Sequence, residues 1–209
     1  GIGSVHLPEA GALGIAEGTD PQDVLIQRCR AAVSTRYPDA DERMRHTVLT
    51  RLDEELAVIA ALGYPTYFLT VAEVTDLIRA RGVRAAARGS GAGSLVNYLL
   101  GISGVDPLRY GLLMERFCTT LRAELPDIDV DVESARRTEI YTAILERFGS
   151  ERVTCVSMMD TYKVRHAVRD VGAALGFPPE DIDEMAKAFP HIRARDARHA
   201  IAELPELRS

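Results

Sequence analysis

Three aspartates alternate with branched apolar residues in Asp127-Ile128-Asp129-Val130-Asp131-Val132, and carboxylates at this spacing point to metal-assisted chemistry. Period-two alternation with β-branched residues predicts a strand. Successive strand side chains face opposite ways, so the aspartates share one face and Ile128, Val130 and Val132 the other. Carboxylates two residues apart on a strand sit roughly 7 Å from one another. Like charges crowded on one face repel unless a cation neutralises them. Two divalent ions about 4 Å apart would do so, and such a pair drives in-line phosphoryl and nucleotidyl transfer. A half-buried strand with a solvated acidic face explains the run equally well, so the run suggests a metal without requiring one. An EF-hand calcium loop opens with the same spacing, but it needs glycine next and glutamate at its twelfth position. Val132 and Thr138 stand there instead.

A second segment, Arg88-Gly89-Ser90-Gly91-Ala92-Gly93-Ser94, sits between a predicted strand over residues 83–87 and a predicted helix over 95–102. Strand, glycine-rich turn and helix together make a common phosphate cradle, because glycine lets backbone N–H groups approach an anion. The turn is neither a P-loop, which requires Lys then Ser or Thr after its last glycine, nor the G-x-G-x-x-G dinucleotide turn, which needs glycine where Ser94 stands. Tight packing of a helix against a sheet uses glycine and alanine in the same way. Arg79, Arg81, Arg84 and Arg88 crowd the approach to this turn, and Lys163, Arg165 and Arg169 recur later. Either cluster suits phosphate contact or a solvated helix face. His166 beside Arg165 has no Ser or Cys nucleophile with a supporting acid nearby, and reads as a surface or packing histidine.

The elements that must position these residues are mostly helical. Asp20-Pro21 is an N-cap followed by an N1 proline, opening a helix to about Arg36. A second helix is predicted over 41–62, with Leu49, Leu52, Leu56, Ile59 and Ala60 inward and Gly63 as its stop. A third over 67–81 carries Phe68, Val71, Val74, Leu77 and Ile78 inward. A short helical piece is expected over 112–117, a polar helix over 134–148 and a strand over 153–158. From Thr161 onward the pattern is helical throughout, over 161–175, 179–189 and 194–203, so a boundary is drawn near residue 158.

With 209 residues, 46% hydrophobic and 27% charged, the composition is that of an ordinary soluble globular protein. No run of about 18 apolar residues exists, so no membrane partner is expected. The start, Gly1-Ile2-Gly3-Ser4, lacks the pattern of a signal peptide and an initiator methionine, so a piece of a longer, cytoplasmic polypeptide is expected. Cys29, Cys118 and Cys155 show no ligand spacing and are expected to be buried free thiols. The formal net charge of −6 disfavours a stand-alone nucleic-acid binder. A metal-dependent polymerase escapes that argument, since it needs acid at its centre and basic residues only along the DNA track.

Together the motifs resemble the catalytic subunit of bacterial DNA polymerase III, the C-family polymerases. The resemblance runs through Gly63-Tyr64-Pro65-Thr66-Tyr67-Phe68-Leu69, the glycine-rich turn continuing to Leu95-Val96, and Asp106-Pro107-Leu108. It continues through Leu112-Leu113-Met114-Glu115-Arg116-Phe117, Leu125-Pro126 with the acidic run, and Val168-Arg169-Asp170-Val171-Gly172. The blocks keep the family's order and cover nearly the whole chain.

The resemblance implies an α+β fold: a nucleotidyltransferase-like palm of the β-type polymerases, with a mixed sheet and flanking helices, followed by a helical partial thumb. Residues 1–158 would be the first part of the palm and 159–209 the start of the thumb. It implies that Asp127 and Asp129 are catalytic and bind two Mg2+ ions in the complete enzyme, with Asp131 not a principal ligand. Arg88, Gly89, Ser90, Gly91 and Arg122 would bind the incoming dNTP, and Lys163, Arg165 and Arg169 the primer-template DNA. Other replisome or repair subunits would be reached through regions outside this chain. Ala85-Ala86-Ala87 before Arg88 departs from the family's usual Gly-Pro-Gly approach and looks more like the damage-tolerant second branch. The family's third catalytic aspartate lies downstream of this chain, which by itself is expected to be inactive. A template-independent nucleotidyltransferase on the same fold, or a retired copy acting as a scaffold, are the competing readings.

Overall fold

A computed structural model describes residues 6–121, 125–156 and 161–203, and the chain divides into two compact units, Gly1–Thr154 and Cys155–Ser209. In the first unit, Asp20 accepts from the Gln22 N–H at 2.9 Å and starts α1, Pro21–Arg36. Asp41 likewise caps Met44 at 2.7 Å and starts α2, Glu42–Leu62. Gly63, at φ 72°, turns its N–H back onto Ala60 and ends that helix in the left-handed conformation glycine tolerates. Pro65 then opens α3, Pro65–Ala80, at 114° to α2.

This bend lets α3 sit between two apolar clusters. On one side Phe68, Leu69 and Ala72 join Leu25 and Cys29 of α1, Val48, Leu52, Leu56 and Ile59 of α2, and Leu95, Val96 and Leu99 of α4, Leu95–Leu99. On the other, Ile78 packs with Val83 and with Ile140 of α5, Arg137–Phe148, while Val130 and Val132 lean on the group.

The sheet consists of β1, Ala85–Arg88, and β2, Asp129–Val132, paired antiparallel with Ala85 opposite Val132 and Arg88 opposite Asp129. It is therefore antiparallel among the described residues, not the mixed sheet expected. The chain connecting β1 to α4 is a 3-10 turn, Gly89–Gly93, and a second short turn, Met114–Arg116, lies against it.

Several sequence expectations shift. On α2 the buried positions are Val48, Leu52, Glu55, Leu56 and Ile59, whereas Leu49 and Ala60 are exposed. On α3 they are Phe68, Leu69, Ala72, Thr75 and Ile78, with Val71, Val74 and Leu77 half-buried, because a helix between two clusters buries a broad face. The helix expected over 95–102 stops at Leu99, and the acidic strand begins at Asp129 rather than Asp127. Of the strand expected over 153–158, residues 157–158 lie outside the described residues and 153–156 form no strand, with no partner strand for them among the described residues.

The second unit is helical: α6 Val164–Ala174, α7 Pro179–Ala188 and α8 Ala197–Glu203. Arg169 of α6 bonds Asp183 of α7 at 2.7 Å. A Cβ on Gly172 would lie 2.9 Å from Ile182, so α6 and α7 approach closely because that position carries no side chain. No single helix among the described residues is long and apolar enough to cross a membrane.

Candidate active site

The glycine-rich turn begins where Gly89 takes φ 73°, a value that costs an ordinary residue about 1–2 kcal/mol. This breaks β1 into the 3-10 turn and leaves Gly89 and Ser90 exposed while Gly91 and Gly93 are buried. Gly93 serves close approach: a Cβ there would stand 2.6 Å from the carbonyl oxygen of Leu113. Backbone therefore packs directly on backbone.

The far end of the turn is fixed by a buried carboxylate. Glu55 of α2, 1% exposed, accepts from Ser94 Oγ at 2.9 Å and from the N–H groups of Leu95 at 3.0 Å and Val96 at 3.1 Å. Arg51 donates to Glu55 at 2.7 Å and reaches the carbonyl oxygens of Gly93 at 3.3 Å and Leu112 at 3.5 Å. Ser94 Oγ also accepts from the Asn97 N–H, and Asn97 Nδ2 donates to the Gly91 carbonyl at 2.9 Å. A buried charge is tolerated when it is paired and hydrogen-bonded in this way. The consequence for the cradle is specific: the N-terminal donors of α4 already hold Glu55, so they are not available to a phosphate. The exposed donors that remain are at the near end, on Gly89 and Ser90.

The acidic segment meets that near end. Asp127, Asp129 and Asp131 are exposed while Ile128, Val130 and Val132 are half-buried, as period-two alternation requires. The register puts Asp129 across from Arg88, and a Cβ on Gly89 would lie 4.0 Å from Asp129 Oδ2. The Arg88 guanidinium is 3.3 Å from Asp131 and 4.0 Å from Asp129, with Arg88 and Asp131 each 65% exposed. An ion pair so open to water is worth about 0–1 kcal/mol. Its guanidinium is thus loosely held among the carboxylates.

Asp127 precedes the strand. The Tyr67 hydroxyl, on α3, donates to the Pro126 carbonyl at 2.7 Å and accepts from the Ile128 N–H at 3.1 Å, spanning Asp127. Burial, reinforced by the Asp127 and Asp129 charges, raises the Tyr67 pKa, so the hydroxyl keeps the proton it donates. Among the described residues no group of three or more Asp, Glu, His or Cys side chains converges on one point. Arg122 lies outside the described residues.

The arginines crowded in sequence do not share one surface role. Arg79 bonds Asp76 and the Gly101 carbonyl, Arg81 bonds the Leu77 carbonyl, and Arg84 lies 3.5 Å from Glu133, which leaves Arg88 at the turn. In the second unit Lys163 is exposed and its backbone bridges to Arg193. Arg165 donates to the Phe189 carbonyl at 2.8 Å and the Lys187 carbonyl at 3.4 Å, and Arg169 is paired with Asp183. His166 is exposed. Burial pushes the Cys29 thiol up to about 12 and Cys118 up to about 11, which keeps both unreactive, whereas Cys155 is exposed, against expectation.

Sequence reasoning missed Glu55, Arg51 and Tyr67. The signal for Glu55 was its place in the apolar stripe of α2, between Leu52 and Ile59. An acid inside such a stripe marks a buried partner. Tyr67 stood in the Gly63–Leu69 block of the resemblance, but no role was attached to it.

The family model described as the bacterial DNA polymerase III alpha NTPase domain matches residues 23–209. The error-prone DNA polymerase of Symbiobacterium thermophilum is 40% identical over 193 residues, 92% of this chain. Those of Methylococcus capsulatus and Pseudomonas fluorescens are 43% and 39% identical, over 87% and 85% of it. The chain spans 17%, 16% and 17% of the length of these three relatives. The glycine-rich turn, the acidic strand and the helices that hold them all fall within the matched region, and the chain belongs to the bacterial DNA polymerase III alpha family.

Proposed function

We propose that this chain is part of the active site of a DNA-directed DNA polymerase of the error-prone branch, which transfers a nucleotide from a dNTP to a primer 3′-hydroxyl on template DNA. The branch assignment rests on the three relatives named above. The observation that carries the activity is the β1–β2 pairing, which sets Arg88 opposite Asp129 and Gly89 beside its carboxylate. Two motifs far apart in sequence meet there, a turn suited to phosphate next to carboxylates suited to magnesium.

In this reading Asp127 and Asp129 are the magnesium ligands; exposed carboxylates are the oxygen donors that ion prefers. Magnesium, when bound, lowers the pKa of the primer hydroxyl and neutralises charge on the phosphates. The N–H groups of Gly89 and Ser90 and the Ser90 hydroxyl orient the triphosphate, joined by Arg122, while buried Gly91 shapes the turn instead of donating. Arg88 exchanges Asp131 for a phosphate oxygen. Residues 1–158 would form the first part of the palm and 159–209 the start of the thumb. There Lys163 meets the DNA backbone without reading sequence. Arg165 and Arg169 reach DNA only by giving up their partners in the same unit.

Asp127→Asn and Asp129→Asn keep size and remove charge, so in the full-length polymerase each should lower primer extension by orders of magnitude with the thermal midpoint unchanged. Near-normal extension by both variants would sink the reading. The chain alone, with no three-ligand group among its described residues, should not extend a primer. Extension abolished by Asp127→Asn would show instead that its ligand set is sufficient.

A further inference from the structure

We propose that Tyr67 is the positioning residue for the Asp127 carboxylate: its hydroxyl ties together the two peptide groups that flank Asp127 and so sets the direction in which the carboxylate points. The inference rests on the reading of Asp127 as a magnesium ligand. Asp127 lies ahead of β2, which begins at Asp129, so the ladder that fixes Asp129 and Asp131 does not extend to it. Among the described residues, the hydrogen bonds that hold its neighbours come from one atom, the Tyr67 oxygen, 2.7 Å from the Pro126 carbonyl oxygen and 3.1 Å from the Ile128 nitrogen.

That atom is itself well fixed. Tyr67 lies on α3 next to Phe68, a fully buried residue, with the two rings edge to face at 5.9 Å. Phe68 meets Phe117 in the same way at 6.0 Å. The hydroxyl uses its one proton on Pro126 and a lone pair on Ile128, so both orientations of the bridge are satisfied by one neutral phenol. Two hydrogen bonds on either side of one residue restrict the torsions that aim its side chain. Without them, the packing of Leu125 and Ile128 against the core would be left to hold the segment, and the Asp127 carboxylate would spend less time where a cation can use it. Groups that orient a ligand without touching the metal change affinity by about 10–100-fold when removed.

The test is Tyr67→Phe in the full-length polymerase, read by Mn2+ binding in electron paramagnetic resonance and by the Mg2+ concentration giving half-maximal primer extension. The expected result is that Mn2+ affinity weakens, and the Mg2+ requirement rises, by about 10-fold or more. Excess Mg2+ should restore most of the rate, with the KM for dNTP at saturating Mg2+ little changed. Leu25→Val, in the same core but on α1, separates positioning from packing: it should lower the thermal midpoint without shifting metal affinity. Equal shifts in metal affinity for Leu25→Val and Tyr67→Phe would overturn the positioning role. Unchanged affinity in Tyr67→Phe, with affinity lost in Asp127→Asn, would overturn it as well and leave the metal site standing. Affinity retained in both Tyr67→Phe and Asp127→Asn would overturn the metal assignment on which it rests.

Discussion

The glycine-rich turn and the acidic strand face each other across β1 and β2, yet they are held by opposite means. The turn is fixed from behind by Glu55, fully buried and bonded to Ser94, Leu95, Val96 and Arg51. Its shape is part of the fold, and it cannot change without exposing a charge. The acidic strand has exposed carboxylates, an open ion pair to Arg88 and one tyrosine hydroxyl at its start. Under the proposed function, a site so divided would keep a rigid surface for the triphosphate and an adjustable one for cations, whose charge would decide how the carboxylates settle. The lesson is that burial, more than the number of hydrogen bonds, decides which half can respond to a ligand.

The strongest blow to this contrast is Glu55→Ala. Removing one partner of a buried charge network should destabilise the first unit by about 3–5 kcal/mol, read by urea denaturation. Glu55→Gln, which keeps the shape, should lose less. A loss below about 1 kcal/mol for the alanine variant would mean that the turn holds itself. Ser90→Ala should come next, in a different quantity: about 1.5–3 kcal/mol in kcat/KM for dNTP if the contact is charge-assisted, with stability and DNA affinity unaltered. Lost DNA binding with unchanged dNTP use would place Ser90 in packing. Gly93→Ala pushes a methyl into the Leu113 peptide and should cost about 1–3 kcal/mol of stability, as overpacking does. Smallest is Asp131→Asn, which removes the partner of an exposed arginine and should move stability by about 0.5 kcal/mol or less. If primer extension collapses as it does for Asp127→Asn, Asp131 belongs with the metal ligands.

The same contrast explains how much could be read from the sequence. The Asp20-Pro21 cap, the start of the second helix near Asp41, the Gly63 stop and the alternation of the acidic run are local signals, and the structure reproduces them to within a residue or two. The exposed half of the site was therefore legible, because alternation and turn chemistry are written in neighbouring residues. The buried half was not. Glu55 was passed over because glutamate is normally a surface residue, and only a docked α4 shows where its carboxylate goes. That omission also displaced the α2 core register toward Leu49 and Ala60. Residues 153–156 form no strand for a related reason: strand propensity is local, but pairing needs a partner elsewhere.

Glu55 also sets a sharp boundary in backbone protection. The amide protons of Leu95 and Val96 end on its carboxylate beneath the surface, so they can meet solvent only when α2 separates from α4. Their exchange with deuterium should be among the slowest of the first unit and should track its global unfolding. Gly89 and Ser90, a few residues earlier, are open to water and should exchange early. Slow and fast exchange would then lie a few residues apart, at the start of α4 and at the start of the turn, with the slow end belonging to the core and the fast end to whatever the turn binds.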